Sequence, residues 1–302
     1  VMDKVIFFDS TLRDGSHAVR HQLTAQKISN YCKGIDGAGL YVAIVGHGNG
    51  LGASSLQVGL SALADNEMLS IARKGLKKTR LGAFLIPGFG TIKDNLGPAI
   101  DLGVDLVCVA AHCTEADIAA QHIDYVRKKG KEAYGVLMMY HMAAKERLLA
   151  EAKKMESYGA MGVLLMDSAG ASDPGKVEET VKFLSKNLNI MLGFHAHNNL
   201  GLAVGNSLTA INSGAKIIDG TIRGFGAGAG NCQLEALVGL LSKLKIKTDI
   251  DLYKLMDVSD EIVAKIMHKP QEIDSVALIS GIAEVFSGFD SHVRKAAERF
   301  GV

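Results

Sequence analysis

Val5-Ile6-Phe7-Phe8-Asp9-Ser10-Thr11-Leu12-Arg13-Asp14-Gly15-Ser16-His17 passes from an apolar run straight into a dense group of ionisable side chains. Such a run reads as a short buried strand. A charge cluster at its end is poor core design, because unpaired buried charge is heavily penalised. It makes sense if the cluster faces a ligand. Arg13 is always cationic, Asp14 is a hard oxygen donor, and His17 can carry a proton near neutral pH. Far along the chain, Ile190 to Phe194 closes in the same way, into His195-Ala196-His197-Asn198-Asn199. Residues i and i+2 of a strand project to one side, so His195 and His197 can chelate one ion. Asp14 added to them gives one carboxylate and two imidazoles, a set that leaves coordination positions open for substrate.

Outward from these two stretches, short apolar runs alternate with helix-period segments along most of the sequence. The runs are Val5–Phe8, Tyr41–Val45, Leu81–Ile86, Asp105–Ala110, Ala133–Met139, Gly162–Met166, Ile190–Phe194 and Lys216–Ile222. Between them, Thr24 caps a helix with Ile28, Tyr31, Ile35 and Ala38 on its apolar face, and a helix is expected from about Leu56 to Lys74. Thr114-Glu115-Ala116-Asp117 has a capping-box pattern ahead of Ala119, Ile123 and Val126. Leu148, Ala152 and Met155 form another inward stripe. Asp173-Pro174 opens a helix with proline at its first position. Strands that read as continuous apolar runs, each followed by a helix, predict an α/β protein: a (β/α)8 TIM barrel. An open doubly wound sheet would carry a glycine-rich turn after its first strand, and none is there. The expected division is a catalytic barrel over residues 1–245 and a helical extension over 246–302, with Leu255, Val258 and Ile262 as one stripe, packed outside the barrel. Asp14 after the first strand and the histidines ending the seventh would meet at the carboxyl face, where barrels of this kind keep their active sites.

Composition narrows the class. Hydrophobic residues make up 48% and charged residues 22% of a 302-residue chain, which suits a globular protein. A formal charge of +1 gives no electrostatic reason to expect nucleic acid or an anionic membrane as partner. No apolar run is long enough for a membrane helix, and Val1-Met2-Asp3-Lys4 is no targeting peptide. Cys32, Cys108, Cys113 and Cys232 form no C-x-x-C pair, which points to reduced thiols and a cytoplasmic protein. Cys113 beside His112 is either a reactive thiol or, more simply, a small buried residue.

Each motif has a plainer reading. Arg13 is either an oxyanion donor or a structural partner of Asp9 or Asp167. His17 is a base, a surface histidine or a cap. Gly224-Phe225-Gly226-Ala227-Gly228-Ala229-Gly230-Asn231 lacks the Lys-Ser/Thr of a P-loop, which leaves an anion contact or close backbone packing. Two nitrogens and one oxygen suit Mn2+, Mg2+, Co2+ or Zn2+, and the lack of a thiol argues against a structural zinc site.

Taken together, these stretches resemble the 4-hydroxy-2-oxovalerate aldolases, within the hydroxymethylglutaryl-CoA-lyase-like group of metal-dependent barrels. The resemblance rests on Ser10 to His17 with Arg20-His21-Gln22, on His112 to Asp117, and on Tyr134 to Met142. Met166-Asp167-Ser168, His195 to Leu200 and Gly226 to Asn231 also carry it. It implies metal ligation by Asp14, His195 and His197, with Mn2+ the expected ion. It also implies an oxyanion role for Arg13, His17 as the catalytic base, and Ser168 holding the substrate carboxylate. The implied reaction is class II cleavage of a 4-hydroxy-2-oxo acid to pyruvate and an aldehyde, in aromatic hydrocarbon catabolism. A homo-oligomer is expected. The competing readings are a Claisen-type acyl-CoA enzyme and a non-catalytic metal-binding homologue. This chain departs from the family at Ile44, where a glutamate is usual, and at Asn49, where an aspartate is usual. Ile282 and Phe286 replace two tyrosines, with Glu284 between them, which points to a changed acceptor pocket or another source of the final proton. The family's terminal region docks an acylating aldehyde dehydrogenase. Here the sequence ends at Val302, some tens of residues earlier, which weighs against that partner or indicates a truncated chain.

Overall fold

A run of apolar side chains on both faces of a strand can only be satisfied between two apolar layers, and a closed parallel sheet wrapped in helices supplies both. The computed structural model describes residues 4–301; Val1-Met2-Asp3 and Val302 lie outside the described residues. Its strands are β1 (Ile6–Asp9), β2 (Val42–Ile44), β3 (Arg80–Leu85), β4 (Leu106–His112), β5 (Glu132–Met138), β6 (Gly162–Asp167), β7 (Met191–Ala196) and β8 (Ile217–Gly220). They close in sequence order into one barrel. β1 pairs in parallel with both β2 and β8, and Phe8 lies opposite Asp219 across the closing seam.

Period-two alternation sorts side chains between two layers. Phe8, Val42, Ile44, Phe84, Leu106, Val136, Leu164 and Ile217 fill the barrel interior. Phe7, Ala43, Val107, Val163, Phe194 and Ile218 face the helices. The same alternation turns Asp9 outward, where its carboxylate accepts from the Tyr31 hydroxyl at 2.7 Å and from the Thr11 backbone amide at 2.9 Å. Asp9 is therefore not among the groups that face the barrel mouth.

The helices form largely where their caps and stripes place them. Thr24 Oγ1 accepts from the Lys27 amide ahead of Ala25–Ile35, and Asp173 Oδ1 accepts from Gly175 and Lys176 ahead of Pro174–Ser185. Leu148, Ala152 and Met155 are buried on Lys145–Ser157. Truncating Leu148 to alanine there would cost about 3 kcal/mol.

Three expectations are corrected. The helix expected from Leu56 begins only at Asp65 and ends at Gly75. Before it, Ser55 and Gly59 pair in a tight antiparallel bridge, and Gly59 has φ +106°, a conformation that a helix excludes. Thr114 does not cap the next helix: its hydroxyl is hydrogen-bonded to His112 Nδ1 at 2.8 Å, and a 3-10 turn over Ala116–Ala119 leads into Ala120–Lys128. The extension does not stay wholly outside the barrel. Leu255 and Val258 are buried as expected, but the later chain crosses the carboxyl face. There the Ser287 amide donates to the Ser168 carbonyl, and the Gln271 amide group donates to the Gly226 carbonyl.

Candidate active site

His195 lies on β7 and Phe194 faces outward, so His195 and His197 share the interior side. Asp14 stands in the loop after β1. One donor atom from each of Asp14, His195 and His197 falls within 4.8 Å of the others, and all three residues are buried. Asp14 and His197 are in the state that a divalent cation needs. Burial alone would raise the Asp14 carboxyl, but the Arg13 guanidinium together with the imidazoles of His197, His17 and His195 outweighs that and holds it well below the usual carboxylate range. Burial pushes His197 down to about 3, so its imidazole is neutral near pH 7. His195 Nδ1 is hydrogen-bonded to Asp219 at 2.8 Å, which leaves Nε2 buried and without a hydrogen-bond partner among the described residues. These residues fit a resident divalent ion.

Arg13 is held from several directions. It donates to Asp14 Oδ1 at 2.8 Å, to the Gly48 carbonyl at 3.3 Å and to Ser10 Oγ at 3.4 Å, and lies 4.6 Å from the Phe84 ring centroid. Its partners are thus Asp14 and, at 3.9 Å, Asp219, not Asp9 or Asp167. Arg13 Nε has no partner among the described residues. His17 is hydrogen-bonded to the Gly48 backbone. Burial, aided by Arg13 and opposed by Asp14, lowers its pKa, so the ring is neutral and keeps a lone pair. His21 and His47 stack at 3.6 Å beside it and are pushed by burial to about 3 and about 4. His47 Nδ1 accepts from the Asn49 amide and Nε2 is bonded to the Gly59 carbonyl, so this neutral pair shapes the loop that reaches His17.

These side chains meet at a narrow cavity. Its lining includes Arg13, Asp14, His17, Asn49 and His197, and the apolar groups Phe84, Ile86, Met138, Met166 and Phe286. Ser168 is fully buried: its hydroxyl accepts from the Met139 amide at 3.0 Å and donates to the Met166 carbonyl at 3.4 Å. It is not in the cavity lining. The glycine-rich loop packs closely. A Cβ on Gly226 would stand 2.5 Å from Asp14 Oδ2, and the next amide, that of Ala227, donates to that oxygen at 3.1 Å. The Ala227 N–H thus serves a carboxylate of the protein itself, while those of Gly224, Phe225, Gly230 and Asn231 go to backbone carbonyls. Cys113 is buried and burial raises its thiol to about 11, which is the plainer of its two readings. Ile44 is part of the interior cluster.

Two residues escaped sequence reasoning. Asp219 accepts from His195 and from Ser10 Oγ at 2.9 Å. Its signal was an acidic residue ending the eighth apolar run, two positions after inward-facing Ile217. Asn231 Nδ2 donates to Asp14 Oδ2 at 2.6 Å, and nothing in its local sequence marks that role. Phe286, which the sequence ties to a changed acceptor pocket, lines the cavity.

Arrangement and fold together define a metal-site barrel of the HMGL-like class, and residues 4–262 match the HMGL-like family. The sequence is 52% identical over 299 residues to the 4-hydroxy-2-oxovalerate aldolase of Pectobacterium atrosepticum, covering 99% of this chain and 87% of that one. It is also 52% identical over 298 residues to the enzyme of that name from Spirochaeta aurantia, at the same coverage. The chain belongs to the 4-hydroxy-2-oxovalerate aldolase family. In fold it is similar to the N-terminal domain of a putative aldolase from Bacteroides vulgatus, with a TM-score of 0.81 at 23% identity, over 97% of this chain and 96% of that one. The carboxyl transferase domain of Rhizobium etli pyruvate carboxylase gives 0.81 at 17% identity, over 99% of this chain and 53% of that one. Residues 271–302 match the DmpG-like communication domain. No helix among the described residues is long and apolar enough to cross a membrane.

Proposed function

We propose that this protein is a divalent-metal-dependent aldolase that cleaves 4-hydroxy-2-oxo acids, such as 4-hydroxy-2-oxovalerate, to pyruvate and an aldehyde. The observation that carries this reading is the convergence of Asp14, His195 and His197 within 4.8 Å of one another, beside Arg13 and His17 on one cavity, in a chain 52% identical to enzymes of that name. A bound divalent ion, which we take to be Mn2+, supplies Lewis acidity toward the substrate's keto and carboxylate oxygens. Asp14, His195 and His197 would hold it.

The chain's own residues do the rest. His17, neutral and wall-lining, takes the proton of the 4-hydroxyl as the C3–C4 bond breaks and the aldehyde leaves. The electron pair passes into a pyruvate enolate, and Arg13, already braced and with Nε–H unpartnered, donates toward the developing charge. We also propose that Ser168 holds the substrate carboxylate, which requires its hydroxyl, buried behind the cavity wall, to leave the weak 3.4 Å contact with Met166 and turn into the site. Protonation at C3 completes pyruvate. Phe286 carries no phenol, so that proton comes from His17 or from water. A Claisen-type reading would need a carboxylate base near β2, where Ile44 is apolar and buried. We further propose a barrel over 1–245 with an extension over 246–302, a cytoplasmic homo-oligomer acting in aromatic hydrocarbon catabolism, and an acylating aldehyde dehydrogenase as partner of the extension.

The test is pyruvate release from 4-hydroxy-2-oxo acids of several lengths, with Mn2+ and with chelator. Metal-dependent release is expected. His17→Ala should keep Mn2+ and pyruvate binding but lose cleavage by about 10²-fold or more. A wild type that cleaves none of these substrates refutes the proposal.

A further inference from the structure

We infer that Asp219, which the aldolase reading does not use, is a positioning residue that orients the metal-ligating histidine and the enolate-stabilising arginine together. This rests on the function proposed above and deepens it. Asp219 is the direct partner of His195 in the β7–β8 register and follows Ile217 by two residues, so it projects into the barrel. Its side chain is 4% exposed. One oxygen, Oδ2, gathers three groups: His195 Nδ1 at 2.8 Å, the Ser10 hydroxyl at 2.9 Å, and Arg13 Nη2 at 3.9 Å. Ser10 Oγ in turn accepts from Arg13 Nη2 at 3.4 Å.

The consequence for His195 is a choice of tautomer. A neutral imidazole has one N–H, and a carboxylate at Nδ1 draws it there, leaving the lone pair on Nε2. Nε2 is the buried nitrogen without a hydrogen-bond partner among the described residues. The consequence for Arg13 is a fixed plane. Asp14 takes Nη1 while Ser10 and Asp219 brace Nη2, so Nε–H is held in one direction. Asp219 Oδ1 has no hydrogen-bond partner among the described residues. A buried carboxylate left half-satisfied is a cost to folding, so a purely structural origin is a poor account of it.

The experiment uses the full chain, stripped of metal and titrated with Mn2+, for wild type, Asp219→Ala, Asp219→Asn, Ser10→Ala and His195→Ala. Asp219→Ala should weaken Mn2+ binding by about 10- to 100-fold, and Asp219→Asn by less, since an amide oxygen can still accept from Nδ1–H. At saturating Mn2+ both Asp219 variants should bind oxalate, an enolate mimic, at least about fivefold more weakly. Ser10→Ala should weaken oxalate binding while holding Mn2+ affinity within about threefold, because it leaves His195 its partner. Asp219→Asn keeps an oxygen for the buried donors, so it should lose Mn2+ affinity at a metal-free melting temperature close to that of wild type, a separation that a merely structural residue would not give. Wild-type-like Mn2+ affinity in Asp219→Ala overturns the inference. So does a lower metal-free melting temperature with full Mn2+ affinity in Asp219→Asn. A wild type that binds no Mn2+, or a His195→Ala variant that binds it normally, overturns the aldolase reading as well.

Discussion

Gly48→Ala isolates the role of His17 without touching a ligand. Gly48 has no left-handed backbone angle, so alanine adds only a methyl group. That Cβ would stand 2.2 Å from His17 Nε2, 2.3 Å from Cδ2 and 2.5 Å from Cε1. Ordinary contact is about 3.4 Å or more, so the imidazole must retreat by roughly 1.2 Å. Misplacing a reacting group by about 1 Å costs on the order of 10²-fold in rate, or about 2.7 kcal/mol in the barrier. The Gly48 carbonyl that takes Arg13 Nη1 is a backbone group and stays in place. The expected result is a fall of about 100-fold in kcat for pyruvate release, read by coupling to pyruvate reduction, with Mn2+ affinity within about threefold of wild type and a stability loss of about 1–3 kcal/mol from overpacking. A variant that keeps kcat within about threefold would refute His17 as the base. A variant that loses Mn2+ binding in step with kcat would show that the loop supports the metal ligands instead.

Metal removal by chelator should abolish pyruvate release and Mn2+ should restore it, whereas Asp14→Asn, which sets an amide NH2 against Asn231 Nδ2, should lose Mn2+ binding by at least about 100-fold in calorimetry. Burial raises the outward-facing Asp9 to about 6 in the folded chain against 3.8 as its ordinary value, despite hydrogen bonds from Thr11 and Tyr31. A raised carboxyl binds more protons folded than unfolded, so its contribution is fully present below about pH 4 and is lost as pH rises through 6. Asp9→Asn should therefore gain about 1 kcal/mol on wild type between pH 5 and pH 7 in urea unfolding, and a pH-independent difference would disprove the shift. Phe286→Ala opens the apolar lining, so the ratio of kcat/KM for substrates with longer C4 substituents to that for the methyl-bearing one should rise about tenfold in the pyruvate-release assay.

Local rules carried much of this molecule. Apolar run length and helix period were enough for the barrel, because every strand in it is buried on both faces and every helix on one. They failed where a segment's conformation is decided by partners distant in sequence. Thr114 has the composition of a cap, yet His112 at the strand end claims its hydroxyl. Leu56 to Ala64 reads as helical, but its backbone is held as a bridged turn under His47 and His21. Asp9 sits in the charged cluster by sequence and out of it by the pleat of β1.

The sequence by itself determined that His195 and His197 stand together, because a strand's two-residue period makes them neighbours without reference to anything else. It also placed Asp14 at the same rim, since every strand of a parallel barrel delivers its carboxyl end there. Only tertiary structure decided the company these groups keep. Ser10 meets Asp219 across 209 residues and Asp14 meets Asn231 across 217, while the extension folds back to set Phe286 on the cavity. No local pattern encodes such pairs: closing β1 against β8 brings the loop after β1 beside Asp219 on β8 and beside Asn231 in the chain that follows it.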